Sequence, residues 1–243
     1  MKKGKILITG GVHGDEPTGI EVAAYFSREK GPIRGILCNP KAVSAEKRFL
    51  ETDLNRSFDV SEPVSLEEHL AKCLRGITKK YDLVLDIHNT KAMNTLCAIT
   101  TCKPNATHLY LAKHFGFKKI VIMPPSGSLI ATVPKRAISL EIPANLNFRF
   151  SPQKLVQKIK RLDIKGRENR HDRFSFYKFV NKVLTSSLER LKLEKASFSN
   201  FRRLTQHQKE ILGLKPKNTY YPIFLKEREE EVAFSLVKRI NVQ

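Results

Sequence analysis

The segment ILITGGVHGDEPTG, residues 6–19, joins an apolar run to a glycine-rich loop that carries a histidine and a glutamate. Residues 5–9 are mostly β-branched or apolar and stop at Gly10-Gly11, a pattern typical of a short buried strand that ends in a tight turn. His13 and Glu16 lie three positions apart, a spacing that directs two side chains toward one point in a helical turn or compact loop. Zinc accepts imidazole and carboxylate ligands. From this segment alone, a metal-binding loop and a glycine-rich turn with solvated side chains are equally good interpretations.

The composition is that of a globular protein with room for a large core. The 243 residues are 41% hydrophobic and 28% charged, which argues against wholesale disorder. No apolar run approaches the roughly 18 residues of a membrane span. The basic N-terminus leads directly into a strand-like run with no small-residue cleavage site after it, so we expect a cytoplasmic protein without a signal peptide. The four cysteines show no CxxC spacing and are expected to be free thiols.

The formal net charge of +20 raises the hypothesis of a nucleic-acid partner. The same charge would equally attract a small anionic substrate. Much of the surplus lies late in the chain, notably in residues 154–173, where the aromatic side chains that stack bases are absent. The sequence therefore favours a solvated basic face over a nucleic-acid surface.

Helical and strand patterns alternate through the first 160 or so residues. Apolar residues recur at helical spacing in residues 18–30, 65–80, 105–115 and 151–162, and extended apolar runs occupy residues 5–9, 33–38, 81–87, 96–101, 119–123 and 136–142. Residues 41–60 are irregular and polar, as functional loops often are. The alternation predicts an α/β domain with a mostly parallel sheet, which binds ligands at the carboxyl ends of its strands.

The sequence pattern changes near residue 167. Residues 174–184, 220–225 and 232–240 have extended character, and residues 205–214 suggest a short helix or turn. We therefore expect two domains, an α/β domain over residues 1–166 and a small β-rich domain over residues 167–243, with the boundary in the polar run 165–173.

Four polar residues fall at or near strand ends, where residues distant in sequence can converge: His13, Glu16, His88 and Glu141. Three protein ligands and one open position define a catalytic zinc site. His13, Glu16 and His88 would supply the ligands, and Glu141 would exchange a proton with water bound there. Each residue taken singly is equally well explained as structural, but a structural explanation must account for all four at once.

Four sequence blocks resemble one family of hydrolases. GGVHGDEPTG (residues 10–19), DLNRSF (53–58), DIHNT (86–90) and SLEIP (139–143) occur in the order found in the succinylglutamate desuccinylase and aspartoacylase family, a branch of the zinc carboxypeptidase-like hydrolases. The segment YPIFLKE (221–227) resembles the family's C-terminal domain. The resemblance implies a mixed, mostly parallel sheet flanked by helices, a small β-rich C-terminal domain that completes the substrate site, and one Zn²⁺ per chain.

The resemblance also implies a role for each matching residue. The zinc ligands would be His13, Glu16 and His88, with Glu141 as general acid/base, Arg48 polarising the scissile carbonyl, and Asn55 and Arg56 holding a substrate carboxylate. Asp86 shares strand parity with His88, so it either orients that ligand or makes a simple structural hydrogen bond.

Two departures from the family pattern bear on specificity. Ala131 stands where aspartoacylases keep a second carboxylate-binding arginine, and Arg136 is either its substitute or a partner of an acidic side chain. The tyrosine that follows the YPxF segment in those enzymes has no counterpart in residues 226–231. The sequence thus predicts zinc-dependent cleavage of a small anionic N-acyl amino acid, without indicating N-acetylaspartate. A carboxypeptidase acting on a short peptide and a basic nucleic-acid-binding protein that keeps the fold are the alternatives, and homo-oligomer formation is left open.

Overall fold

The computed structural model describes residues 4–143, 146, 149–163, 174–191, 194, 198–225 and 232–241. The described strands are β1 (Ile6–Gly10), β2 (Ile33–Leu37), β3 (Leu83–Thr90), β4 (Cys97–Thr100), β5 (Lys119–Ile122), β6 (Ala137–Pro143), β7 (Ser175–Leu184), β8 (Tyr220–Ile223) and β9 (Val232–Ile240). The described α-helices are α1 (Pro17–Arg28), α2 (Pro40–Ser44), α3 (Leu66–Thr78), α4 (Ala106–Phe115), α5 (Pro152–Lys160), α6 (Thr185–Arg190) and α7 (Gln206–Ile211). Short 3-10 turns occupy Leu54–Arg56, Leu129–Thr132 and Pro134–Arg136.

The strands form one sheet in the order β2-β1-β3-β6-β4-β5-β7-β9-β8. β2, β1, β3 and β6 are parallel, β4 runs antiparallel to β6, and β4, β5 and β7 are parallel to one another. β9 pairs antiparallel with both β7 and β8. The predicted α/β class with a mostly parallel, mixed sheet flanked by helices is confirmed.

Alternation along the strands places a hydrophobic core on each face of the sheet. In β1, Ile6 and Ile8 pack with residues of α1, α4 and α5, whereas Leu7 packs with α3 on the other face. β3 repeats the pattern, because Leu85 lies on the first face and Val84 on the second. Successive side chains of a strand point to opposite faces, so residues that continue the parity of Val84 also lie on the α3 face.

The C-terminal strands continue the same sheet and carry a third apolar cluster, which includes Leu188, Phe234 and Leu236. The expected boundary segment 165–173 lies outside the described residues, and the division into domains 1–166 and 167–243 stays a prediction. No helix in the described part of the chain is both long and apolar enough to cross a membrane. The cytoplasmic location and the oligomeric state also stay predictions.

Two short helices were not predicted. α2 lies in the segment expected to be irregular, where the Asn39 side chain accepts a hydrogen bond from the N–H of Ala42 and Pro40 occupies the first helical turn. α6 directly follows β7. Helices of five or six residues are too short to show a hydrophobic period, and local capping decides them.

Candidate metal centre and substrate cavity

Three buried side chains meet at the carboxyl ends of β1 and β3. His13 lies in the loop after β1, Glu16 precedes α1, and His88 lies within β3, which extends past the predicted strand end to Thr90. One donor atom from each side chain lies within 4.8 Å of the other two. The three are at most 4% exposed, so the structure brings together the predicted ligand set in an environment shielded from water.

The two imidazoles are oriented alike. The Nδ1 atoms of His13 and His88 lie 2.7 Å and 2.9 Å from the two carboxylate oxygens of Glu16. On the far side of each ring, the Nε2 atoms contact Asp53 Oδ1 at 3.0 Å and Asp86 Oδ2 at 2.7 Å. Carboxylates behind histidines in this way fix the ring orientation and tautomer of metal ligands. The donor set and its supports therefore fit a divalent metal such as zinc.

Close packing of glycines shapes the loop that carries His13. Gly11 has φ +64°, a left-handed conformation that side chains other than glycine rarely adopt. A Cβ at Gly14 would overlap the backbone of Ala42 in α2. The glycine-rich segment is thus required for the loop to approach α2 closely enough to hold His13 in place.

Glu16 occupies the N-cap position of α1 without capping that helix. Asn89 of β3 provides the cap, because its Oδ1 accepts a hydrogen bond from the N–H of Thr18 at 2.8 Å. The N–H of Asn89 also donates to Glu16 Oε2 at 3.2 Å. Because Asn89 caps α1 in place of Glu16, the Glu16 carboxylate can face both histidines.

Neighbouring charges favour the charged forms of Glu16, His88 and Asp53, although burial opposes them. Burial by itself would raise the pKa of Glu16, but the neighbouring His88 and His13 outweigh it and hold that pKa well below its ordinary range. Burial opposes the charging of His88, yet Asp86 and Glu16 raise its pKa well above the usual value. Burial likewise disfavours charge on Asp53, and the hydrogen bond and charge of His13 lower the pKa of that carboxyl. The site therefore stabilises positive charge at the point where Glu16 faces the imidazoles.

Glu141 lies beside His88 on the neighbouring strand. The two residues are direct partners in the parallel pairing of β3 with β6. Asp86 and His88 continue the parity of Val84, while Ser139 and Glu141 continue that of Ala137, which packs in the core of the α3 face. Register and parity thus bring Glu141 to the same face as the cluster, where it lines the cavity.

The predicted substrate residues surround the same cavity. Arg48 donates from Nη1 to Glu16 Oε1 at 3.4 Å, although it lies outside any strand. Asn55 accepts a hydrogen bond from the N–H of Leu129 at 3.0 Å, and Arg56 follows it on an exposed part of the loop. Arg48, Asn55 and Arg56 all line the cavity. Arg136 is not among its described lining residues and instead donates to the backbone carbonyl of Lys79 at 3.0 Å.

The cavity has a volume of about 150 Å³ and two kinds of wall. Its polar part holds the cluster, Glu141, Arg48, Asn55 and Arg56, together with several hydroxyls. Within the described residues, the buried Oγ atoms of Ser128 and Ser139 have no hydrogen-bond partner. The apolar part is formed by Ile99, Met123, Ile130, Phe179, Phe224 and Val232.

A β-bulge brings one further cation to this cavity. Phe179 pairs with Val237 of β9, but Asn181 pairs with Leu236, so Val180 is an extra residue in β7. In a regular strand, Phe179 and Lys182 would point to opposite faces. The bulge shifts the parity by one, and both side chains line the cavity.

Sequence reasoning missed Lys182 and Asp53. The register of an irregular strand depends on its partner strand, so the sequence of β7 alone did not reveal the position of Lys182. Asp53 did carry a signal, because it opens the DLNRSF block, but its contact with His13 spans 40 residues of sequence.

The fold and the buried cluster define a class, that of zinc carboxypeptidase-like α/β proteins with a His-Glu-His metal-type site. The family model for the succinylglutamate desuccinylase/aspartoacylase catalytic domain matches residues 2–133, more than half of the 243 residues. The chain belongs to this family. The matched range includes His13, Glu16, Arg48, Asn55, Arg56 and His88, while Glu141 lies beyond it.

Curated relatives match over part of the chain. An N-acyl-aromatic-L-amino acid amidohydrolase (carboxylate-forming) of Rattus norvegicus is 27% identical over 167 residues, which are 57% of this chain and 52% of that protein. A probable aspartoacylase of Trichodesmium erythraeum is 36% identical over 110 residues, 38% of each chain. The chain thus spans about half the length, or less, of the curated relatives it matches.

Solved structures match nearly the whole chain. The succinylglutamate desuccinylase of Chromobacterium violaceum has a TM-score of 0.75 at 17% identity, covering 99% of this chain and 86% of the other. Murine aminoacylase 3 has a TM-score of 0.70 at 20% identity, covering 99% and 96%. At these identities the likeness shows the fold, which is the zinc carboxypeptidase-like fold expected from the sequence.

Proposed function

We propose that this protein is a zinc-dependent hydrolase that cleaves the amide bond of an N-acyl amino acid to a carboxylate and a free amino acid. The observation that carries the proposal is the pairing of the buried His13–Glu16–His88 cluster with Glu141 as the cross-strand partner of His88. Membership of the family and the amidohydrolase and aspartoacylase names of its relatives support the same reaction.

His13 Nδ1, a Glu16 carboxylate oxygen and His88 Nδ1 would hold the metal, and Asp53 and Asp86 would keep the imidazoles in the ligating orientation. Zinc bound there supplies Lewis acidity, which polarises an amide carbonyl and acidifies water.

Glu141 would move the proton in this reaction. Its carboxylate takes a proton from the attacking water as the new C–O bond forms. It then returns the proton to the amide nitrogen as the C–N bond breaks, so that the amino acid leaves as a free amine. Its place in β6 next to His88 supports this role, because strands in a sheet lie about 4.8 Å apart.

Three residues would position the substrate. Arg48, beside Glu16, stabilises the negative charge that develops on the carbonyl oxygen. Arg56, with Asn55, holds the substrate carboxylate, as guanidinium groups do in bidentate pairs. The Asn55 side-chain carbonyl is already engaged by Leu129, so its amide N–H groups are the part that can face the substrate.

Lys182 and the apolar wall would set substrate choice. The wall formed by Phe179, Phe224 and Ile99 suits an apolar acyl group or side chain. This chain has Ala131 at the position of the family's second arginine. Lys182 supplies a cation in the same cavity. We therefore include Lys182 among the groups that contact the substrate.

A panel experiment tests the proposal. The full chain would be purified, its zinc content measured by mass spectrometry, and amine release followed for N-acetyl and N-succinyl derivatives of aromatic, aliphatic and acidic amino acids. We expect about one zinc per chain and release of amine from at least one member of the panel. Substitution of His13 by Ala should remove both. A protein without stoichiometric zinc, or one in which His13→Ala leaves turnover unchanged, would refute the proposal.

A further inference from the structure

A second hollow lies beside β7, on the side of the sheet away from Lys182. It has a volume of about 330 Å³ and is lined by Lys178, Phe179, Val180, Gly213, Leu214, Lys215, Asn218, Tyr220 and Lys238. Lys178 directly precedes Phe179 in β7, so the two side chains point to opposite faces. Lys238 and Tyr220 are cross-strand partners of each other, and Lys238 shares strand parity with Leu236 of the third apolar cluster. The lysines of the hollow therefore lie on the face of the sheet opposite to the substrate cavity, and Phe179 borders both.

Two of its lysines lie side by side on neighbouring strands. Lys178 of β7 and Lys238 of β9 are direct partners in the antiparallel pairing, and Tyr220 of β8 pairs with Lys238 on the other side. Lys215 joins them from the turn before β8. Like charges placed directly opposite each other destabilise a sheet. Within the described residues, none of these three ammonium groups forms an ion pair, and no acidic side chain lines the hollow. An anion between them would remove the repulsion.

Tyr220 adds an oriented hydroxyl to this cationic surface. The residue is only 4% exposed, although it lines the hollow. Its oxygen accepts a hydrogen bond from Asn218 Nδ2 at 3.1 Å. Because that bond occupies an acceptor position of the oxygen, the hydroxyl proton remains available as a donor. The N–H of Asn218 bonds to the carbonyl of Lys215 at 3.1 Å, and this turn holds the third lysine and the amide together.

We propose that this hollow binds a compact phosphate-bearing molecule, with the ammonium groups of Lys178, Lys215 and Lys238 and the hydroxyl of Tyr220 as donors to the phosphate oxygens. A phosphate dianion offers several acceptor oxygens close together, which matches donors gathered in one hollow. A nucleic-acid strand would instead need cations along a groove with aromatic faces for its bases, whereas these three lysines gather at one hollow in which the Tyr220 ring is almost fully buried. The net charge of +20 raises the local concentration of such anions.

The test is calorimetric titration of the full chain with inorganic phosphate, pyrophosphate and adenosine monophosphate at constant ionic strength. A triple variant, Lys178→Met, Lys215→Met and Lys238→Met, removes the cations. The matched control changes three exposed lysines elsewhere to methionine, Lys72, Lys80 and Lys103, with the same change in net charge. We expect the hollow variant to lose more than about tenfold in affinity, whereas the control stays within about twofold of the unaltered protein.

Tyr220→Phe and Lys215→Met keep the test informative if the triple variant does not fold. The tyrosine change leaves the charge unaltered, so a loss of roughly three- to tenfold would identify a hydrogen-bonded site. Equal affinity of the hollow and control triple variants, or of Tyr220→Phe and the unaltered chain, would overturn the proposal. Binding of a single-stranded oligonucleotide more tightly than pyrophosphate would also overturn it, in favour of a nucleic-acid surface. The relative affinities of the three small anions identify whether free phosphate, a diphosphate or a monoester is preferred.

Discussion

Glu141 and His88 are neighbours across two parallel strands, yet their substitutions should affect the metal differently. Glu141→Gln keeps the shape of the side chain but removes the base that takes the proton. We expect zinc to remain bound while kcat falls about 10²- to 10⁴-fold. His88→Ala removes a ligand, so metal and activity should be lost together.

Zinc content and kcat, measured on the same preparations, distinguish these two roles. Turnover at the unaltered rate in the Glu141→Gln protein would show that another group moves the proton. Zinc retained in the His88→Ala protein would show that the cluster does not hold the metal as proposed.

Lys182 permits a second prediction about a single residue. If this cation contacts a negative group of the substrate, Lys182→Met should raise KM for the affected substrates by about tenfold, with kcat changed much less. Lys182→Arg keeps the charge and should restore most of the affinity. Lys72→Met, on the exposed side of α3, serves as the control for loss of one positive charge. Michaelis constants across the panel test this, and equal KM values for Lys182→Met and Lys182→Arg would contradict it.

At the scale of the elements, one carboxylate ties α3 to the loop that carries Arg48 and Asp53. Glu67 is fully buried, and its oxygens accept hydrogen bonds from the backbone N–H groups of Leu50 at 2.8 Å and of Glu51 and Thr52 at 3.3 Å. Asn39 Nδ2 donates to it at 3.1 Å. Burial by itself would raise the pKa of Glu67, but the donors from Leu50, Asn39 and Thr52 outweigh it and hold that pKa below its ordinary value.

Glu67→Gln should destabilise the fold by about 1–3 kcal/mol, because an amide group would face backbone donors. The lowered pKa fixes the dependence on pH. The contribution of the carboxylate is complete above about pH 4.5, the ordinary pKa of a glutamate, and is lost as the pH falls from there through the lower folded pKa. The gap between the two proteins should therefore narrow on acidification.

Urea unfolding of both proteins between neutral and acidic pH measures this gap. Glu62→Gln, an exposed change in the same segment of the chain, is the control and should stay close to the unaltered stability. A stability gap that stays constant as the medium becomes acidic would exclude Glu67 ionisation as its source.

The elements also show what could be predicted from the sequence. Continuous apolar runs located β1, β3 and β6, and therefore the strand ends where His13 and Glu141 lie, because strands buried on both faces carry apolar residues in succession. The bulge at Val180 could not be predicted, since it exists only in the pairing of β7 with β9. The sequence also did not indicate that Asn89 caps α1 in place of Glu16, because a cap supplied from β3 is a tertiary contact.

At the scale of the whole molecule, the charge of +20 should act on the substrate before binding. A positive protein draws an anionic N-acyl amino acid toward it, and salt screens this attraction over about 10 Å at 0.1 M ionic strength. We expect kcat/KM for the best substrate of the panel to fall about two- to tenfold between low and physiological salt, while kcat changes little. The corresponding N-acyl amino acid amide, which lacks the carboxylate charge, should show a much weaker dependence. Measurement of both substrates over a series of sodium chloride concentrations decides the matter, and identical salt dependence for the two would show that the basic surface does not serve substrate capture.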